Sequence, residues 1–107
     1  MIEISLYKRD GINVGYKGKG HAEFAEPGYD VVCAAISVLM INTENAIELL
    51  TEDHYTAEMN DDGFVHVMMT STISHESSVL LAALEIGVNA ISEEYGTDYI
   101  KILIEEV

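Results

Sequence analysis

An α+β fold of order β-β-α-β-β-α-β, one largely antiparallel sheet packed with two helices, is what this 107-residue sequence predicts. Three observations point there. Apolar residues alternate at both ends of the chain, the period of a strand with one buried face. Two long central stretches place them at helical spacing instead. Short polar segments carrying glycine separate the strand-like runs in pairs, as hairpin turns do.

Each element has its own signature. From Met1 to Lys8, Ile2, Ile4 and Leu6 share one face, and Glu3, Ser5 and Tyr7 the other, which reads as a half-buried strand. Arg9-Asp10-Gly11 is a tight turn, and Ile12, Val14 and Tyr16 begin the return strand. Gly15, Gly18 and Gly20 then loosen the chain, as a bulge, a frayed strand end or a point of mobility. Residues 31 to 41 are apolar almost without break and continue through Ala46, Ile47, Leu49 and Leu50. That run is too long for a strand, so a helix is expected from about Tyr29 or Asp30 to Leu50, apolar on nearly all sides at its start. His54 to Met59 and Phe64 to Met69 read as strands joined by an Asn60-Asp61-Asp62-Gly63 turn. A second helix begins around Ser74 to Ser77, with Leu80, Leu84, Val88 and Ile91 on one face, and ends near Gly96 as C-cap. Ile100, Ile102 and Ile104 alternate through a closing strand.

The totals narrow the class. Residues 1–107 are expected to form a single domain, large enough to bury a core without staples. One cysteine cannot form an internal disulfide. No signal peptide is evident and no apolar run is expected to be long enough to cross a bilayer, so a cytoplasmic location is expected. Nineteen acids against five bases give a net charge of −14, the wrong field for binding DNA or RNA. A basic partner would be drawn in faster. His54, His66 and His75 show no metal-ligand spacing, Asp61-Asp62 lacks the rest of a calcium loop, and the glycines form no phosphate loop. No metal and no cofactor is expected.

Chemistry concentrates between Gly20 and Ser37, which hold the only cysteine, the only proline and a histidine directly after a glycine. Asp30 is a good N-cap, which would put Val31, Val32 and Cys33 at the first three helical positions. A thiol there feels the positive end of the helix dipole, worth about 0.3–1 kcal/mol. That alone leaves an ordinary thiol mostly neutral at pH 7; a nearby imidazole is what makes it a nucleophile. His21, separated from Cys33 by eleven residues, can be returned to it by the intervening loop. Ser37 lies one turn after Cys33 on the same face, placed to bond near the thiol or, the plainer structural role, back to the carbonyl of residue 33. Cys33 as a small buried hydrophobe and His21 as a solvated loop residue is the plainer alternative.

Gly20-His21-Ala22, followed by Gly28-x-Asp30-Val31-Val32-Cys33-Ala34-Ala35-Ile36-Ser37, resembles the signature of the ribosomal-processing cysteine protease family. The match covers 18 residues; beyond them length and element order agree in pattern only. In that family the His and Cys of these motifs are the catalytic pair, which implies that role for His21 and Cys33. The resemblance implies removal of an N-terminal leader from the large-subunit ribosomal protein L-twenty-seven, with cleavage after an aromatic residue, and a homodimer. Phe24 and Tyr29 would help line an apolar substrate pocket, or only pack the loop. Gly20 and Gly28 would act as its hinges. Asp30 would orient His21 as a third member or serve only as N-cap, and Ser37 belongs to the motif. The rival functions are a non-catalytic acidic module that binds a basic ribosomal protein or assembly factor, and a thiol enzyme acting on a small acyl compound.

Overall fold

The computed structural model describes residues 1–19, 29–60, 63–96 and 98–107. The elements are β1 (Ile2–Arg9), β2 (Ile12–Lys19), α1 (Tyr29–Leu50), β3 (Tyr55–Met59), β4 (Val65–Met69), α2 (His75–Tyr95) and β5 (Ile100–Glu106). Their order is the expected one. The strands form one five-stranded sheet, β3-β4-β2-β1-β5, in which every pairing is antiparallel except β1 with β5.

Both helices cover the same face of the sheet, because that is where the alternation puts the apolar side chains. Ile2, Ile4 and Leu6 of β1, Val14 and Tyr16 of β2, Val65 and Val67 of β4 and Ile100 of β5 are buried there. They meet Val32, Ile36, Met40 and Ile47 of α1 and Leu81, Leu84 and Val88 of α2 in one core. The buried stripe of α2 is slightly rotated from expectation. Ser77, Leu81, Leu84 and Val88 point inward, while Leu80 and Ile91 pack at its margin.

The first strand departs from the half-buried expectation. Ser5 and Tyr7, on the face away from the helices, are also buried. β1 is an interior strand with neighbours on both sides, and the Tyr7 ring lies 5.8 Å from the His66 ring of β4. Between them on β2 stands Gly15, opposite Tyr7 on one side and Met68 on the other. A Cβ on Gly15 would come 2.5 Å from Met68 Sδ and from the Val67 carbonyl, so no other residue fits without a shift. The register slips between Tyr7 and Lys8, which leaves β2 with one extra residue beside that glycine.

Two features seat α1 on the sheet. The buried Tyr16 hydroxyl donates to the Met40 carbonyl at 2.6 Å, and burial pushes that phenol well above its ordinary 10.0. Two residues along the same strand, a Cβ on Gly18 would overlap the Met40 thioether. Gly18 is thus a site of close approach rather than a frayed end.

Over Val31–Leu50, α1 is long and apolar enough to cross a membrane by length and composition, against the expectation that no such run exists. In this fold its inner face packs on the sheet, while Val31, Val38, Ile41, Leu49 and Leu50 are exposed.

α2 starts on a relay from the loop before β3. The Ser74 N–H and hydroxyl both donate to Asp53 Oδ2, at 2.8 and 2.6 Å, and the Ser74 Oγ accepts from the Ser77 N–H. Gly96, at φ 90°, closes the helix with its N–H on the Ser92 carbonyl, as expected for a glycine C-cap.

Two measurements check these anchors. Tyr16→Phe removes one buried hydrogen bond and is expected to cost about 0.5–1.5 kcal/mol in urea unfolding, with an unchanged m-value. For Asp53, the Ser74 hydroxyl first and the Ser77 and Ser74 donors next hold the carboxyl below its ordinary 3.8. A depressed carboxyl contributes stability above its unfolded value and loses it as pH falls through the folded one. The fall in Tm on acidification through 3.8 is therefore expected to be shallower in Asp53→Asn than in the parent chain.

Candidate active site

α1 begins at Tyr29, earlier than an Asp30 cap would allow. Asp30 is the second helical residue, not the N-cap, and Cys33 is the fifth rather than the third. The correction has a simple physical basis. An acidic residue is favourable anywhere in the first turn, where the dipole is positive, so its presence does not fix the boundary. Cys33 now lies just past the amides that lack an intrahelical acceptor, and those amides belong to the residues preceding it. The dipole acts on its sulfur from one turn away.

The thiol is half-buried, packed against the core on one side, and free of any disulfide. It borders a small crevice of about 20 Å³ lined by Ile2, Lys19, Cys33, Ile36, Ser37, Met40 and Gly63. Sheet topology assembles it. Ile2 opens β1, Lys19 closes β2 and Gly63 precedes β4, so three chain segments converge at one end of the sheet beneath the start of α1. The Lys19 ammonium lies 3.4 Å from Glu3 Oε2, an exposed pair that holds a cation at the rim without adding much stability.

Ser37 lines the same crevice. Among the described residues its hydroxyl makes no hydrogen bond, and the expected back-bond to the carbonyl of residue 33 is not formed. Thr43 and Thr51 do form that bond, to the Leu39 and Ile47 carbonyls at 2.7 and 2.8 Å. The Ser37 hydroxyl is thereby available on the thiol's side of the helix.

The other expected site residues divide plainly. Gly20, His21, Phe24 and Gly28 lie outside the described residues, and of Tyr29 and Asp30 only the helical backbone is described. Met40, Lys19, Ile2 and Gly63 were not expected at the site. Lys19 carried a signal, being one of five bases and two residues before His21. Gly63 carried none, since only the pairing of β4 with β2 brings it there. Among the described residues no group of three His, Cys, Asp or Glu side chains is placed to hold a metal ion. His66 instead packs between the Tyr7 and Phe64 rings, at 5.8 and 6.2 Å.

The structure thus places a half-exposed thiol near the amino end of α1, beside a crevice lined by Ser37 and by the end of β2. Comparison with known proteins is specific. The family model described as cysteine protease Prp matches residues 1–101. A ribosomal processing cysteine protease Prp of Staphylococcus aureus is 32% identical over 77 residues, 71% of this chain and 73% of that protein. A crystal structure of a Prp protease from S. aureus with a substrate peptide superposes with a TM-score of 0.89 at 27% identity, covering 98% of this chain and 100% of that one. A second, carrying a covalently linked product peptide, gives 0.86 at 28% identity with the same coverage. This chain belongs to the cysteine protease Prp family, and it is a cysteine protease.

The crevice makes access to the sulfur testable. Ser37→Leu places a larger side chain at a half-buried helical position where leucine is well tolerated. It is expected to slow iodoacetamide alkylation of Cys33 by about tenfold or more while the far-UV circular dichroism is unchanged. Equal rates in the two chains would show that the crevice is not the route to the thiol.

Proposed function

We propose that this protein is an endopeptidase that removes the N-terminal leader of a large-subunit ribosomal protein during ribosome maturation, the protein L-twenty-seven of the family resemblance. The observation that carries the proposal is Cys33 at the crevice end of α1, in a chain whose relatives are named ribosomal processing proteases and have been crystallised with substrate and covalently linked product peptides.

Cys33 is the nucleophile and His21 its partner. Lys19, two residues before His21, lines the crevice of Cys33, which favours the pairing. The sulfur attacks the scissile carbonyl, forming an S–C bond, while His21 takes the thiol proton. Unpaired amides at the start of α1 stabilise the oxyanion. His21 then gives its proton to the leaving amine as the C–N bond breaks. In the second half-reaction His21 accepts a proton from water, the hydroxyl adds to the acyl carbon, and the C–S bond breaks with return of the proton to sulfur. Phe24 and Tyr29 line the pocket for the aromatic residue before the cut, with Gly20 and Gly28 as hinges. Asp30 and Ser37 support the pair, Asp30 through its negative charge in the first turn and Ser37 through its hydroxyl.

The remaining features fit the same role. Residues 1–107 act as one protease domain in the cytoplasm, and the net charge of −14 draws in a basic ribosomal protein. Two copies form a homodimer. Because the same charge would serve a module that only holds such a protein, the test must separate cutting from binding. Incubation with a leader-bearing peptide, followed by mass spectrometry, is expected to show one cut that disappears in Cys33→Ala and in His21→Ala. Retention of intact peptide by the unmodified chain, indifferent to Cys33→Ala, would establish the binding module instead.

A further inference from the structure

β5 is an edge strand that carries exposed apolar side chains between Lys101 and Glu105. Its register with β1 places Ile102 opposite Ile4 and Ile104 opposite Leu6, on the helix-covered face. Ile4 and Leu6 are buried, yet Ile104 is 54% exposed, and Leu103 on the opposite face is 38% exposed. The other edge, β3, is two residues shorter and presents Thr56, Ala57 and Glu58. An exposed edge of the β5 kind invites pairing with another strand.

The main chain shows which groups are free for that pairing. The Ile2 N–H donates to the Tyr99 carbonyl and the Val107 N–H to the Lys8 carbonyl, both at 2.9 Å. Odd-numbered residues of this segment therefore turn their peptide groups toward β1, and Ile100, Ile102, Ile104 and Glu106 turn theirs outward.

The side chains then select a partner. Laid antiparallel to itself about Leu103, the strand Lys101-Ile102-Leu103-Ile104-Glu105 is self-complementary. Ile102 faces Ile104 of the other copy and exchanges both main-chain hydrogen bonds with it, since both are outward-pointing residues. Leu103 meets its own equivalent, flanked on each side by Lys101 opposite Glu105. Shifting the centre to Ile102 breaks this match, setting Asp98 against Glu106 and Lys101 against Leu103. We infer that the edge of β5 is the surface through which two copies of this chain associate, joining their sheets into one of ten strands with Leu103 on the two-fold axis. The inference rests on the homodimer proposed above and specifies its interface. The exposed residues of α2, such as Val79 and Ile86, lie on a different surface.

Sedimentation velocity over a concentration series tests it. Glu105→Lys sets lysine against lysine twice across the axis and is expected to raise the dimer dissociation constant about tenfold or more. It does so even though it takes two units off the net charge of −14, a change that would otherwise favour association. Adding Lys101→Glu to it is expected to restore the parent value. Ile104→Pro removes an outward N–H without touching the β1 pairing and is expected to weaken the dimer comparably. A dimer unmoved by Glu105→Lys and by Ile104→Pro would place the interface elsewhere and overturn this inference alone. Failure of the double substitution to restore association would overturn the register. A parent chain that stays at its 11.8 kDa monomer mass at all concentrations would overturn the homodimer as well.

Discussion

The seat of α1 on β2 is the constraint on which the rest of this structure depends. Tyr16 reaches up from the strand to donate to the Met40 carbonyl, and two residues further on Gly18 clears a path for the Met40 thioether. These contacts hold one helical position at a fixed height and rotation. Cys33 lies two turns earlier on the same side of the helix, so its sulfur is set over Ile2 and Lys19 by the same contacts. A buried Tyr hydroxyl left without a partner would carry a desolvation penalty, so this seat is strongly specified. Helix and strand end are thereby locked together at the crevice beside Cys33.

The charge distribution acts at longer range. A net charge of −14 on 107 residues gives a field that attracts a basic partner before any contact is made. At the crevice itself the balance differs locally, because the Lys19 ammonium stands at the rim beside Glu3. Attraction of a basic partner and placement of the Cys33 thiol are therefore separate matters. The first belongs to the whole surface, and the second to a few groups around one sulfur atom.

Much of this was legible in the sequence, for reasons that can be traced. Ile2, Ile4 and Leu6 announce their face because a strand's side chains alternate, and the apolar run through Leu50 announces a helix because it is too long for anything else. Ser74 and Gly96 mark the ends of α2 through cap chemistry. The motif around Cys33 pointed to a cysteine protease family, and the comparisons agree. Other features were hidden. The parallel pairing of β5 with β1 is invisible to alternation, which is the same for either direction of a neighbour. The burial of Ser5 and Tyr7 follows from an interior position that only the strand order reveals. Asp30 misled because a carboxylate suits both the N-cap and the first turn. Ile2 and Gly63 reach the crevice through topology, so no local pattern could have named them.

The central claim is that the Cys33 sulfur bonds covalently to substrate. It is tested most directly by offering the protein a leader-derived peptide that ends in a thiol-reactive vinyl sulfone and mapping the product by mass spectrometry. The account predicts a one-to-one adduct on Cys33, formed by the native chain and absent from Cys33→Ala. Leader cleavage that proceeds with no adduct, or with an adduct at another residue, would contradict it.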